Sequence, residues 1–580
     1  MSTGKREAER AERAERRRSR VGVAPDPVGR AERCLVLAWA LVMICAAAAP
    51  IVSGYLHARP GERFLGFVPA YYEDYQSYLA WMRQAEQGHL LFRDLFTSET
   101  HRRIILLPVF WVMGAAARLT GASLVGVWYL VHGLATVLLV WTIHAFAARF
   151  SGDRTTRLLA LGLATTAAGL GGFVPASLLA GSAEVQRPID LWMVEANQFF
   201  PVASSYFTLP LALALMLLAL MRLLRHLEEG RSRDAGAAGG YAIALAMTHQ
   251  YDVVTLFAVA AAWVVVVRAR HWRGLVLFAA IPAPYVVYSL AVVRLDPALS
   301  RLTWDMPVPG VSAHLLGWGI PLILAVGAAL VPAVRRDNRN VPLLVAWLLA
   351  VVVLLLVPLE FRRKLIWGAQ VPMAILAAMG VRWVWGRIGT RLAPVRLRWA
   401  LAGGAAVALL AVCAYGSFLV ERDLLRRAAA SGADEFVPQG FVEGLDWLRL
   451  HARPGDVVMA SPSLAPLVPG WTGATVFAGH WAQTIDLDAK WHFVEMVFRS
   501  PGFASPGELR QVLDRNRVRF IVLDARAMSL VRLPDALPDR NIAGLATPVL
   551  RNQEVAIWEV EPPPSTSAEA RWRSGDWMGP

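Results

Sequence analysis

The chain has 580 residues, is 56% hydrophobic and only 18% charged, and carries a formal net charge of +14. Apolar runs of 18 residues or more recur through the first 420 positions. This excludes an ordinary soluble domain and marks a polytopic α-helical membrane protein followed by a more polar segment. The positive charge is not a nucleic-acid signature, because most basic residues sit in short patches between apolar runs, where they set membrane orientation.

Of the 58 basic residues only Lys5, Lys364 and Lys490 are lysines. The three cysteines, Cys34, Cys45 and Cys413, all fall in apolar runs, so neither a disulfide framework nor a cysteine metal site is implied.

Residues 1–33 form a basic tail that contains KREAERAERAERRRSR and is expected on the cytoplasmic side. The first apolar run, 34–56, is too long for the core of a cleaved signal and reads as an uncleaved anchor. If the tail stays inside, this span exits. Residues 57–122 then form an extracytoplasmic loop in which 76–88 and 104–119 read as helices lying at the interface. Further spans are expected at 123–147, 158–181, 202–221, 236–248, 253–267, 274–293, 312–333, 341–358, 366–381 and 399–419, eleven in all. Each internal loop on the cytoplasmic side then carries at least three arginines. Residues 421–562 read as a small extracytoplasmic α/β domain. Helices are expected at 440–451, 484–499 and 506–516, strands at 456–461, 475–480 and 519–524, and a final hairpin pairs PVLRN with EVAIWEV. Residues 563–580 form a polar tail.

The stretch 70–103 stands out. It contains YYEDYQSYLAWMRQAEQGHLLFRDLFTSETHRR, follows the first span directly, and carries Glu73, Asp74, Glu86, Asp94 and Glu99. No Asp or Glu falls in the middle of any expected span. The acids gather instead at the outer rim, with Glu195, Asp252, Asp305 and Glu360 beside those of the first loop. Buried charges at mid-membrane usually mark a transport path. Acids at the rim suit chemistry on lipid headgroups.

An anchor, a long acidic first loop with interfacial helices, many spans and a terminal domain together resemble the GT-C superfamily of polytopic glycosyltransferases. Its members include protein O-mannosyltransferases and lipid A aminoarabinose transferases. The resemblance covers the architecture of the whole chain, whereas the residue match is the short pair Glu73-Asp74 in the first loop. It implies sugar transfer from a polyprenyl-phosphate donor at the extracytoplasmic face. Donor, membrane lipid and a glycan, lipid or protein acceptor would be the partners, and nucleic acid would not. It also implies that the first-loop pair holds the catalytic carboxylate. Some members of the superfamily use a divalent ion and others none. This chain shows no His-x-x-x-His pair, so no cofactor or metal is indicated.

The residue types fit that chemistry. An acceptor hydroxyl needs a carboxylate to take its proton as the glycosidic bond forms, and the departing phosphate needs fixed cations. Asp74 is the candidate base, with helix N-cap for the segment from Tyr75 as the competing reading. Glu73 is a second catalytic or substrate-binding candidate. Tyr71, Tyr72, Tyr75 and Tyr78 read as an interfacial belt. Arg362, Arg363 and Lys364 break the positive-inside pattern at an outer span end. They are candidates for the donor phosphate, or else for plain headgroup contact. Arg102 and Arg103 stand beside the acidic loop, where headgroup anchoring is the competing role. Glu195 and Asn197 could position substrate hydroxyls, or simply cap a span. His249, with Asp252, lies at the tip of a tight hairpin and is a substrate-binding candidate or a turn residue. His480 reads as a structural histidine. Two other classes stay open: a lipid or polysaccharide carrier, and an anchor that only presents its terminal domain.

Overall fold

The computed structural model describes residues 28–562, apart from 68–71, 175–206, 268–270, 303–307, 309, 339, 393–394, 431–435, 499–505, 525–541 and 543. Among the described residues, seven helices are long and apolar enough to cross a membrane: Arg30–His57, Leu124–Ala147, Thr208–Glu229, Gly274–Arg294, Val311–Leu330, Arg362–Ile388 and Ala400–Ala429. The other four expected spans form shorter helices: Arg154–Thr166, Ser232–Ala246, Tyr251–Val267 and Val341–Leu356, of 13, 15, 17 and 16 residues. The chain divides into two compact units. One comprises 1–50, 129–287 and 305–426, and the other 51–128, 288–304 and 427–580.

The first unit is helical and packs on small side chains. Ala212, Ala214, Ala219, Ala238 and Ala242 are sealed in its core, which lets helices 208–229 and 232–246 approach closely. The run expected as a span at 158–181 departs from helix after Thr166. Its backbone finds other partners: Ala168 N–H donates to the Cys413 carbonyl and Leu170 N–H to the Leu316 carbonyl, each at 2.7 Å. Such pairing is what an irregular apolar segment requires where water is scarce. Gly169 permits it, because a Cβ there would stand 2.2 Å from the Leu316 carbonyl oxygen. Helix 311–330 is kinked at Gly319, whose φ is +48°, two residues before Pro321. At the start of the first span, Glu32 is buried between Arg157, at 2.6 Å, and His144, at 2.8 Å. Helix 274–294 is interrupted between Ala280 and Ala283, where Pro282 lacks the N–H that would continue it.

The second unit joins the first loop to the end of the chain. Strands β1 (Glu62–Phe64) and β2 (Phe436–Pro438) pair antiparallel, with Arg63 opposite Val437. Strands β3 (Val457–Ala460), β4 (Thr475–Val476), β5 (Val518–Asp524), β6 (Ala546–Arg551) and β7 (Val555–Val560) form one sheet, ordered β4-β3-β5-β7-β6. β3 runs parallel to β4 and β5, while β7 is antiparallel to both its neighbours. β3 and β5 are rich in buried β-branched residues, as strands covered on both faces must be.

Side-chain alternation sorts the two faces. Val458, Ala460, Phe520, Val522 and Ile557 point into one core, and Val457, Met459, Ile521, Leu523 and Trp558 into the other. The first core also holds Ala80, Leu95 and Phe96, so the first loop covers one face of the sheet. Burying Phe96 completely stabilises this packing by roughly 2–3 kcal/mol.

Within the first loop, helices Tyr72–Glu86 and Pro108–Thr120 lie against each other. Gly114 makes that contact possible, since a Cβ there would fall 2.2 Å from the Met82 carbonyl oxygen. Tyr75 stacks on Phe67, and Tyr78 on Phe110 and Trp128. Tyr75 is buried, so these tyrosines serve a core where the sequence suggested an interfacial belt. Most terminal elements lie within a few residues of the expected ones. The main exception is 475–480, where strand stops at Val476 and 477–485 form a loop.

Candidate active site

The helix that carries Glu73 and Asp74 begins at Tyr72, one turn earlier than an N-cap at Asp74 would require. Asp74 therefore sits inside the first turn. Its main-chain carbonyl accepts from Ser77 Oγ, and its carboxylate faces the loop 477–485. Acids in a first helical turn are favoured by the helix dipole.

His480 stands against that carboxylate, with Nε2 3.3 Å from Asp74 Oδ1. The Asp74 side chain is 28% exposed and that of His480 only 3%, so one is open to a ligand and the other is sealed. Glu73 Oε2 accepts the backbone N–H of Trp481 at 2.9 Å, which ties the same helical turn to the next residue of the loop. Trp481 itself is exposed.

The loop is rigidly framed. Thr484 Oγ1 accepts the N–H groups of Gly479 and His480 and donates to the Phe96 carbonyl at 2.7 Å. Ile485 N–H donates to Thr97 Oγ1. Lys490 Nζ donates to Glu99 Oε2 at 2.7 Å and to Thr97 Oγ1 at 3.2 Å, and it lies over the Phe477 ring. Thr97 Oγ1 also donates to Glu99. Burial alone would raise the Glu99 carboxyl, but the hydrogen bond and charge of Lys490 bring it below its ordinary value.

Asp94 lies in this frame with the opposite tendency. Burial pushes its carboxyl up to about 7, against the N–H of Phe96 and the nearby charges of His480 and Lys490. His101 completes the segment. Its Nε2 accepts from Asp94 N–H at 2.9 Å, and its Nδ1 lies 2.8 Å from the Glu99 carbonyl. Burial lowers its affinity for a second proton.

No family model matches the chain, and no curated protein matches it either. Solved structures do. The archaeal oligosaccharyltransferase AglB from Archaeoglobus fulgidus, in complex with an inhibitory peptide and a dolichol-phosphate, matches 88% of this chain and 72% of its own, with 12% identity and a TM-score of 0.46. ArnT from Cupriavidus metallidurans, bound to undecaprenyl phosphate, matches 91% of this chain and 97% of its own, with 14% identity and a TM-score of 0.48. The resemblance to GT-C polytopic glycosyltransferases rests on the sequence features alone, because both structural likenesses have TM-scores below 0.5.

The other candidates fall in three groups. His249 and Lys364 come together in the helical unit, around Tyr251. The Lys364 ammonium lies 4.8 Å from the centre of the Tyr251 ring, and His249 meets the same ring edge-on at 5.5 Å. Phe361 packs on it as well. His249 Nδ1 is 3.1 Å from Asp252 Oδ2, and that carboxylate is fully buried. Arg362 and Arg363 occupy the same 3-10 turn as Lys364 and are half-buried. Arg102 is exposed, and its backbone N–H donates to Asp296 at 2.8 Å. Arg103 is half-buried near Arg93. Glu195, Asn197 and Asp305 lie outside the described residues. Among the described residues, no three His, Cys, Asp or Glu side chains gather where they could hold a metal ion.

Sequence reasoning passed over His480, Asp94 and Lys490 as site residues. The signal in the chain was thin: a histidine and a tryptophan just after a short strand, and one of only three lysines.

Proposed function

We propose that the protein is a glycosyltransferase that spans the membrane eleven times and works at its extracytoplasmic face. It moves a sugar from a polyprenyl-phosphate donor to an acceptor hydroxyl. Asp74 is the base. The acceptor O–H gives its proton to the Asp74 carboxylate, and the acceptor oxygen bonds to the anomeric carbon. The bond from that carbon to the phosphate oxygen breaks, and its electron pair stays on the phosphate. Arg362, Arg363 and Lys364, in the helical unit, are the residues we propose for the donor phosphate, because fixed cations suit a group that gains negative charge. Glu73 holds the loop carrying Trp481, and residues 421–562 supply that loop from an extracytoplasmic domain.

The observation that carries this reading is the setting of Asp74. It is a solvent-reachable carboxylate on a helix braced by a buried aromatic core, faced by a sealed histidine and flanked by a loop pinned at several points. A surface acid with no task needs no such frame. Positioning of this kind is how a weak base becomes effective. The test is mass analysis of lipid-linked and envelope glycans in cells with and without the gene. Loss of the gene should cause one polyprenyl-phosphate sugar to accumulate and one envelope glycan to lose that sugar. Identical glycan and lipid profiles would overturn the proposal.

A further inference from the structure

We propose that His480 is a positioning residue for the base: its Nε2–H holds one oxygen of Asp74 so that the other is presented to the acceptor hydroxyl. This rests on the reading of Asp74 as base. The tautomer follows from the backbone. Ala482 N–H donates to His480 Nδ1 at 3.0 Å, so in the neutral ring Nδ1 is the acceptor and the proton resides on Nε2. That N–H has no hydrogen-bond partner among the described residues. The Asp74 oxygen at 3.3 Å is the acceptor it faces.

His480 is 3% exposed, so water does not replace the missing partner, and an unpaired buried donor is costly. The contact is within reach of a hydrogen bond but not aligned as one. Catalytic contacts commonly tighten only when substrate is bound. The ring itself is held in place. The His480 N–H is fixed by Thr484, which is bound to the Phe96 carbonyl, and the Phe96 ring meets the imidazole edge-on at 5.4 Å. Swinging Asp74 toward substrate therefore leaves His480 where it is. The histidine sets which carboxylate oxygen is free, and no proton leaves it.

Two substitutions separate this role from a structural one. His480→Asn keeps an acceptor where Nδ1 stands, so it can still hold Ala482, but it has no donor where Nε2 stands. His480→Gln places an amide N–H where Nε2 stands. The assay uses full-length protein in membranes of the gene-deleted strain, with that strain's lipid extract as the donor pool, and follows release of polyprenyl phosphate. Thermal unfolding is measured in parallel.

His480→Asn should unfold near the wild-type temperature and lose about 100-fold in kcat, the scale of a misplacement of about 1 Å. Its KM for the lipid extract should stay within about threefold. His480→Gln should keep kcat within about tenfold of wild type. Wild-type kcat in His480→Asn, or an equal loss in the Gln variant, would overturn the inference. Asp74→Asn in the same assay keeps the two claims apart. An inactive Asp74→Asn beside a fully active His480→Asn removes only the histidine's role, whereas an active Asp74→Asn removes the base.

Discussion

Asp94→Asn should change how the protein's stability depends on pH. In the folded chain burial pushes the Asp94 carboxyl up to about 7, whereas an unfolded aspartate titrates near 4. Between those values the folded state keeps a proton that the unfolded state has released. Stability therefore falls as pH rises through this window, by about 1.4 kcal/mol per pH unit, and levels off above pH 7. The full window of about three units sets an upper limit of about 4 kcal/mol. Because Asp94 is half-buried, solvent reduces that to roughly 2–4 kcal/mol.

Asparagine is isosteric, can still accept the Phe96 N–H that now reaches Asp94 Oδ1 at 2.9 Å, and does not ionise. The variant's advantage over wild type should grow from pH 4 to pH 7 and then stay constant. The assay is thermal unfolding of detergent-solubilised full-length protein across pH 4 to 8. At about 2–4 °C per kcal/mol for a unit of this size, the two melting curves should separate by several degrees over the window. Curves that run parallel from pH 4 to 8 would refute the assignment of a buried, protonated Asp94.

The ion pair of Lys490 and Glu99 is sealed on the lysine side, 8% against 24% exposed. Lys490→Ala should therefore destabilise the protein by about 3 kcal/mol, because it strands Glu99 and frees Thr97. A loss under 0.5 kcal/mol in a denaturant titration would show that the pair does not pin the loop. Arg363→Ala and Lys364→Ala should each raise the KM for the polyprenyl-phosphate donor by about tenfold and leave the acceptor KM unchanged, the pattern of lost ground-state binding. Equal effects on both substrates would argue against a phosphate role.

How much of this was legible in the chain follows from the range of the interactions. Apolar runs and their arginine flanks are local signals, and nearly all of them became helices where expected. The terminal strands were also local: the short apolar run of β5, buried along nearly its whole length, and the hairpin of β6 and β7 lie within a few residues of the expected segments. The break after Thr166 was hidden, because Ala168 and Leu170 satisfy their backbone on carbonyls far away in sequence. The candidate site was only partly legible. Glu73 and Asp74 stood out by their place after an anchor, but their partners lie some 400 positions on, as Glu73 and Trp481 do with a separation of 408. No periodicity links such residues. Tyr75 and Tyr78 misled for a related reason, since a tyrosine that stacks in a core reads the same as one at a membrane surface.

The central claim is that the Asp74 carboxylate takes the acceptor's proton while a polyprenyl phosphate departs. The most direct measurement is polyprenyl-phosphate sugar in gene-deleted cells complemented with wild type or with Asp74→Asn, quantified by mass spectrometry at equal protein levels. The account predicts that the Asn variant accumulates the lipid-linked sugar as fully as the deletion does, while wild type clears it. Clearance by Asp74→Asn at the wild-type level would contradict it.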